Sequence, residues 1–183
     1  MSFPKPYADF VARLRVLFGF VMAAAFLWFS APDSVSLAAG LPVSFAGLAL
    51  RAWAAGHLEK NRDLAQSGPY ARVRNPLYLG TLTVAMGLAI AARRWELALL
   101  FAVVFGLVYL PAVELEEQHL RRLFPAFDEY ARRVPRLLPR FGAVKQTGKP
   151  FRWPLYRFNR EYEALAGWLA GVAVLLWKAL RPH

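Results

Sequence analysis

Two arginines stand directly before an apolar run in the stretch GPYARVRNPLYLG, residues 68–80. Pro76 suits the first turn of a helix, because the N–H that proline lacks would have no partner there. Asn75 is a residue type that caps helices. The unpaired N–H groups of a helix start attract anions, and Arg72 and Arg74 add positive charge. The pattern predicts either an anion-binding pocket or an ordinary capped helix with basic neighbours.

Three carboxylates, Glu114, Glu116 and Glu117, follow another apolar run. Glu116 and Glu117 would point about 100° apart on a helix, so only one of them can face a given ligand fully. Such a carboxylate could bind a cation or a hydroxyl group, or it could form a helical ion pair with Arg121. Arg51 lies inside an apolar run, where it could bind an anion or pair with a glutamate of the bundle. Both possibilities stay open for each group.

The composition indicates a membrane protein rather than a nucleic-acid-binding one. Of its 183 residues, 57% are apolar, and 23 lysines and arginines face only 12 acidic residues. Basic segments beside apolar runs are typical of the cytoplasmic face of a membrane. The chain has no cysteine, which excludes disulfides and thiolate ligands. Because its three histidines are scattered, we predict no metal site.

Five apolar stretches predict an all-α fold, a polytopic bundle of about five transmembrane helices that forms a single domain over residues 1–183. A bilayer core requires about 20 helical residues, so the third stretch is marginal, and we expect it to form a tight hairpin with the fourth. A cytoplasmic amphipathic segment with a break at Pro125 is predicted between the fourth and fifth spans. The stretches are residues 14–31, 35–58, 77–92, 97–113 and 164–180.

The distribution of basic residues sets the predicted orientation. Most lysines and arginines fall in the N-terminal segment, in the link between the second and third stretches, and between residues 121 and 160. We therefore expect these parts and the N-terminus to be cytoplasmic. The small residues Gly167 and Gly171 on the last stretch could form a homodimer face, although such steps more often pack within one chain.

Two segments resemble one family. GPYARVRNPLYLG is similar to the signature G-P-Y-x-x-V-R-H-P-x-Y-x-G of the isoprenylcysteine carboxyl methyltransferase and phospholipid methyltransferase superfamily. EEQHLRRLFPAFDEYARRVPRLLP resembles its second signature, E-E-x-x-L-x-x-x-F with a V-P-x-x-x-P ending. The resemblance covers about residues 45–140 and leaves the C-terminal span, 162–181, outside. Asn75 replaces the usual histidine and Pro125 the usual glycine, and asparagine can form hydrogen bonds but cannot act as a base.

The resemblance implies an integral-membrane enzyme with S-adenosyl-L-methionine as its cofactor. It would methylate a lipid or lipid-attached acceptor, which could be a carboxylate or an amine, from a pocket on the cytoplasmic side. The membrane would be the inner membrane in a bacterium or the endoplasmic reticulum in a eukaryote. Glu117 would be the base for an amine acceptor, whereas Arg136 or Arg51 would hold a carboxylate. The implied cofactor-binding residues are Arg74, Asn75, Pro76, Tyr78, Gly80, Glu116, Glu117 and Tyr130.

Two other functions remain as alternatives. Sterol and steroid reductases have a similar R-H-P-x-Y segment, so the basic pocket could instead hold NADPH. Because Asn75 stands where the signature has a histidine, the chain could also be a membrane scaffold that kept the fold but lost catalysis.

Overall fold

In a computed structural model, which describes residues 5–140 and 148–181, the described chain is helical and contains no strand. The predicted all-α fold is therefore confirmed. A 3₁₀ turn occupies Gly68–Ala71, and a π-helical turn, Phe105–Tyr109, joins two of the helices. The helices are α1 (Lys5–Phe29), α2 (Ser34–Ala55), α3 (Pro76–Ala91), α4 (Trp95–Val104), α5 (Leu110–Leu123), α6 (Phe127–Arg133), α7 (Trp153–Phe158) and α8 (Tyr162–Ala179).

Two helices of the described chain are long and apolar enough to cross a membrane. One is Ser34–Ala55, and the other is the continuous helix Trp95–Leu123, in which α4, the π-helical turn and α5 follow each other without a break. They match the second and fourth predicted spans. Leu17–Phe29 and Pro76–Ala91 are apolar but shorter. The arrangement of five spans and its orientation stay predictions.

The segment after the fourth apolar run differs from the prediction in one respect. The helix continues through Glu114 to Leu123, so this part extends the fourth helix and does not form a separate surface helix. No helix-breaking residue occurs in 112–123, which explains the continuation. The predicted break at Pro125 is confirmed, because the next helix starts at Phe127.

The starts of α2 and α3 follow from local sequence. Asp33 caps α2 by accepting a hydrogen bond from the backbone N–H of Ser36 at 2.7 Å, and the Asp33 N–H donates to the Ser36 hydroxyl oxygen at 3.0 Å. Pro76 is the first residue of α3, as predicted. The link of residues 92–94 is short, so α3 and α4 follow each other as the expected hairpin.

Glycines set the close packing of α2 against α3. A Cβ atom on Gly47 would lie 2.7 Å from the carbonyl oxygen of Gly80, and one on Gly40 would collide with the backbone of Ala91. A Cβ on Gly87 would likewise collide with the backbone of Ser44. Because Gly40 and Gly47, like Gly80 and Gly87, are seven residues apart, each pair lies on one helix face. The two antiparallel helices therefore approach almost backbone to backbone.

Polar contacts fix α8 and the segment before it to α2. The indole N–H of Trp168 donates to the Ser44 hydroxyl at 2.9 Å. The Asn159 amide donates to the carbonyl oxygens of Ala55 and Leu58, both at 3.0 Å, at the end of α2. These contacts attach the C-terminal helix, which the family resemblance did not cover, to the core of the bundle.

The two glycines proposed as a dimer face have different surroundings within the chain. A Cβ on Gly171 would lie 3.9 Å from the Phe26 ring of α1, whereas one on Gly167 would meet no described atom within 4 Å. The homodimer through these residues stays a prediction.

We expect Gly87→Ala to lower the free energy of unfolding by about 1–3 kcal/mol, because the added methyl group must push α3 away from the α2 backbone. Thermal unfolding in detergent measures the effect. Gly167→Ala is the matched control, since its methyl group enters open space. Equal unfolding temperatures for the two variants would contradict the close packing.

Candidate functional site

Most of the predicted site residues line one cavity. Its volume is about 290 Å³, at the lower end of the range of small-molecule pockets, roughly 300–1,000 Å³. The end of α2, the loop that follows it, the start of α3, the π-helical turn, α5 and α6 all contribute to its wall. The predicted residues in the wall are Arg51, Arg74, Asn75, Pro76, Tyr78, Glu116, Glu117 and Tyr130.

Glu117 is the centre of a buried charge cluster. Its side chain accepts a hydrogen bond from the Asn75 amide at 2.9 Å and two from the Arg136 guanidinium at 2.7 and 3.1 Å. Arg136 also donates to Glu114 at 2.7 Å, and Arg74 Nε lies 3.5 Å from Glu117. Burial opposes the charge of Arg136, but the two carboxylates together raise its pKa. Two arginines and two glutamates thus balance each other's charges.

Asn75 does not cap α3 with its side chain, in contrast to the prediction. It occupies the N-cap position, but its amide donates instead to Glu117 and to the backbone oxygen of Arg136 at 3.2 Å. The side chain is buried, and the stronger acceptor is the buried carboxylate. Asn75 therefore joins the first signature segment to the second through hydrogen bonds in which its own side chain is uncharged.

Backbone contacts also join the two signature segments. The Arg74 N–H donates to the Pro135 oxygen, and the Arg140 N–H donates to the Arg72 oxygen, each at 2.9 Å. The Tyr130 hydroxyl donates to the backbone oxygen of Tyr70 at 2.8 Å. The segment after α6 consequently folds back over the start of α3.

Arg74 and Glu116, one from each signature segment, differ from the fully hydrogen-bonded charges of the cavity wall. Arg74 Nε is buried without a hydrogen bond, although it lies near Glu117. The carboxylate of Glu116 forms neither an ion pair nor a hydrogen bond with a described residue. Because Arg74 Nε has no exposed surface, the charged group nearest to it is the Glu117 carboxylate, 3.5 Å away. The Glu116 carboxylate, by contrast, faces the cavity without a charged partner among the described residues.

Arg51 both lines the cavity and forms the ion pair that was one of its two possible roles. Its guanidinium binds the Glu161 carboxylate through two hydrogen bonds, at 2.7 and 3.0 Å. It also donates to the Thr81 hydroxyl and, at 3.3 Å, to the Leu77 oxygen of α3. Glu161 is 7% exposed, so this pair is largely withdrawn from solvent.

Two predicted site residues do not line the cavity. Gly80 faces α2, where an added Cβ would lie 2.6 Å from Arg51 Cγ, so its place is in the helix contact. Arg136 lies behind Glu117 and reaches the cavity only through that carboxylate. Sequence reasoning missed Glu161, Thr81 and Tyr109. Glu161 had one available signal, because an arginine inside an apolar helix calls for an acidic partner.

Within residues 5–140 and 148–181, no group of three or more histidines and acidic residues is arranged to hold a metal ion. The cavity wall contains arginines, carboxylates and aromatic rings. Tyr78 and Tyr109, whose ring centroids are 6.3 Å apart, meet edge to face in the wall.

Burial raises the pKa of Tyr70 and of Tyr130 above the ordinary tyrosine value near 10. The folded state thus keeps both protons where the unfolded chain loses them. The contribution of these two tyrosines to the free energy of unfolding is fully present below about pH 10 and is lost as the pH rises above it.

We expect Tyr130→Phe to reduce this loss of stability at alkaline pH. It should also lower the free energy of unfolding at neutral pH by about 1 kcal/mol, because the hydrogen bond to Tyr70 is lost.

Thermal unfolding at neutral pH and above pH 10 measures both effects. Tyr162→Phe, at an exposed tyrosine, is the control and should keep the wild-type alkaline loss. An alkaline loss in Tyr130→Phe as large as in the wild type would contradict the assignment.

Comparison with known proteins gives the site a context. The sequence model described as phospholipid methyltransferase matches residues 42–126. Over 154 residues the chain is 32% identical to the nickel-cobalt-cadmium resistance protein NccN of Alcaligenes xylosoxydans xylosoxydans, a match that covers 78% of this chain and 72% of the relative. It is also 32% identical over 130 residues to the cobalt-zinc-cadmium resistance protein CzcN of Cupriavidus metallidurans, covering 69% of this chain and 58% of the relative. No solved structure matches the chain.

Proposed function

This chain belongs to the phospholipid methyltransferase family, and we propose that it uses S-adenosyl-L-methionine to methylate a lipid or lipid-attached acceptor at a membrane. The observation that carries the proposal is the convergence of both signature segments on one cavity. Arg74 and Asn75 from the first and Glu116 and Glu117 from the second lie in the same wall. This explains why Arg74 stands at the start of α3, where a plain membrane anchor would not need it.

The residues in the wall suit the cofactor's own charges. The Arg74 guanidinium, which lines the cavity, and the N–H groups at the start of α3 would hold its carboxylate. The free Glu116 carboxylate would bind its ammonium group or its ribose hydroxyls. Glu117 would act on Arg74 and Asn75 by fixing their positions, since both contact it directly.

Bound S-adenosyl-L-methionine supplies a methyl group on a positively charged sulfur, which an acceptor's lone pair takes while the S–C electron pair stays on sulfur. The protein's contribution is to align the acceptor and to exclude water, because no covalent bond to the enzyme is needed. An ammonium acceptor must first lose a proton. That proton would pass to water before the acceptor enters, because Glu117, the predicted base, already accepts bonds from Asn75 and Arg136 and Glu116 is assigned to the cofactor.

A carboxylate acceptor would need no base and would be held by an arginine. Of the two predicted candidates, Arg51 lines the cavity and Arg136 does not. We therefore assign this role to Arg51, with Arg136 as a positioning residue that holds Glu117.

We expect S-adenosylhomocysteine to bind the detergent-purified protein and Arg74→Ala to weaken that binding by about 10- to 150-fold. This range corresponds to the roughly 1.5–3 kcal/mol of a hydrogen bond to a charged group. Isothermal titration calorimetry measures it. Arg72→Ala is the matched control, since Arg72 is two residues away and does not line the cavity.

Three outcomes separate the possible functions. Weaker binding of S-adenosylhomocysteine in Arg74→Ala alone supports the proposed cofactor site. Equal weakening in Arg74→Ala and Arg72→Ala would mean that only the overall positive charge of the segment matters. Binding of NADPH without S-adenosylhomocysteine would favour a reductase. A folded protein that binds neither would favour a scaffold.

The names of the relatives suggest a setting for the reaction. Both are called metal-resistance proteins, and we propose that this chain contributes to metal tolerance by methylating a membrane component. A host that expresses the wild-type chain should then tolerate more cadmium than one that expresses Arg74→Ala at the same level. Growth across a cadmium series measures this, and equal tolerance in the two strains would contradict the role of methylation.

A further inference from the structure

A second, smaller groove lies on the far side of the Arg51–Glu161 ion pair. Its volume is about 190 Å³, and it is enclosed by α2, α7 and α8. The small side chains of Ala49 and Ala52, about one helical turn apart on α2, leave the space that forms it. Its wall consists of Phe45, Leu48, Ala49, Ala52, Tyr156, Glu161 and Leu165, which are apolar except for Glu161 and the Tyr156 hydroxyl.

The groove opens on the outer surface of the bundle. Phe45 is 57% exposed and Leu165 is 37% exposed, so its rim is apolar and uncovered within the chain. α2 is one of the two described helices that are long and apolar enough to span a membrane. The surface around the opening is therefore one that hydrocarbon chains would cover.

The ion pair separates the groove from the larger cavity. Glu161 lines the groove, Arg51 lines the cavity, and their side chains bind each other through two hydrogen bonds. A molecule with a hydrocarbon chain in the groove would thus have its head group at this pair. The next space that the head group could enter is the proposed methyl-transfer site.

We propose that the groove holds a hydrocarbon chain of the methyl acceptor, and that the head group reaches the cavity by taking the place of one partner in the Arg51–Glu161 pair. This inference rests on the proposed function and adds the route of the substrate. The charges are complementary, because a phosphate or carboxylate can replace Glu161 on Arg51 and an ammonium can replace Arg51 on Glu161. Displacing one partner would leave its charge buried without compensation, which is costly, so the head group must carry a charge for each partner that it frees, as a zwitterionic head group does.

The test fills the groove without altering the cofactor cavity. Ala49→Phe places a ring in the recess, and Leu165→Trp fills the same space from α8. Ala46→Phe is the matched control, because Ala46 is an exposed alanine on the same helix that does not line the groove. The probe is phosphatidylethanolamine with a photoreactive diazirine in one acyl chain, and mass spectrometry locates the labelled peptides.

We expect labelling within residues 45–52 and 156–165 in the wild type and in Ala46→Phe. It should fall by about tenfold in the two groove-filling variants, which corresponds to about 1.4 kcal/mol of binding. Calorimetric binding of S-adenosylhomocysteine should be unchanged in all four proteins, since the cofactor cavity is intact.

Undiminished labelling in Ala49→Phe and Leu165→Trp, or labels confined to other helices, would overturn the proposal that the groove holds a hydrocarbon chain. Labelling of the groove in proteins that bind no S-adenosylhomocysteine would instead overturn the proposed function and leave the lipid site standing. Labelling that is lost on filling while cofactor binding persists supports both.

Discussion

The contact between α2 and α3 is the constraint on which the rest of the structure depends. Gly40 and Gly47 of α2 meet Gly87 and Gly80 of α3 where any Cβ atom would collide. Across this contact Arg51 of α2 donates to the Thr81 hydroxyl and the Leu77 oxygen of α3, and it also lines the cavity. The same contact fixes the start of α3, and with it the place where Arg74 and Asn75 meet the carboxylates of α5.

The second principle of the site is that nearly every buried charge is balanced. Arg74 and Arg136 are balanced by Glu114 and Glu117, and Arg51 by Glu161. Isolated charges are costly in an apolar bundle, whereas paired and hydrogen-bonded ones can be accommodated. The Glu116 carboxylate, which has no ion pair with a described residue, is an exception in the described wall, and a charged ligand contributes most at such an exception.

Much of the site could be predicted from sequence because its residues lie in two short segments, 68–80 and 116–130. Local patterns identify the start of α3 at Pro76 and the break at Pro125, since both depend on backbone chemistry within a few residues. Local patterns could not identify Glu161 as the partner of Arg51, because the two are 110 residues apart. The groove beside them depends on how α8 packs, which no local pattern records. Gly80 was assigned to the cofactor because it belongs to the signature, although its lack of a side chain serves helix packing.

The central claim is that this cavity transfers a methyl group to a membrane component. The most direct measurement supplies the purified protein, in lipid vesicles, with S-adenosyl-L-methionine that carries an isotopically labelled methyl group, and then separates lipid from protein and water-soluble products. Label in the lipid fraction, formed in step with S-adenosylhomocysteine and absent with Arg74→Ala, is the predicted result. If folded protein that binds the cofactor leaves all of the label in the donor, with every candidate lipid present, the claim is contradicted.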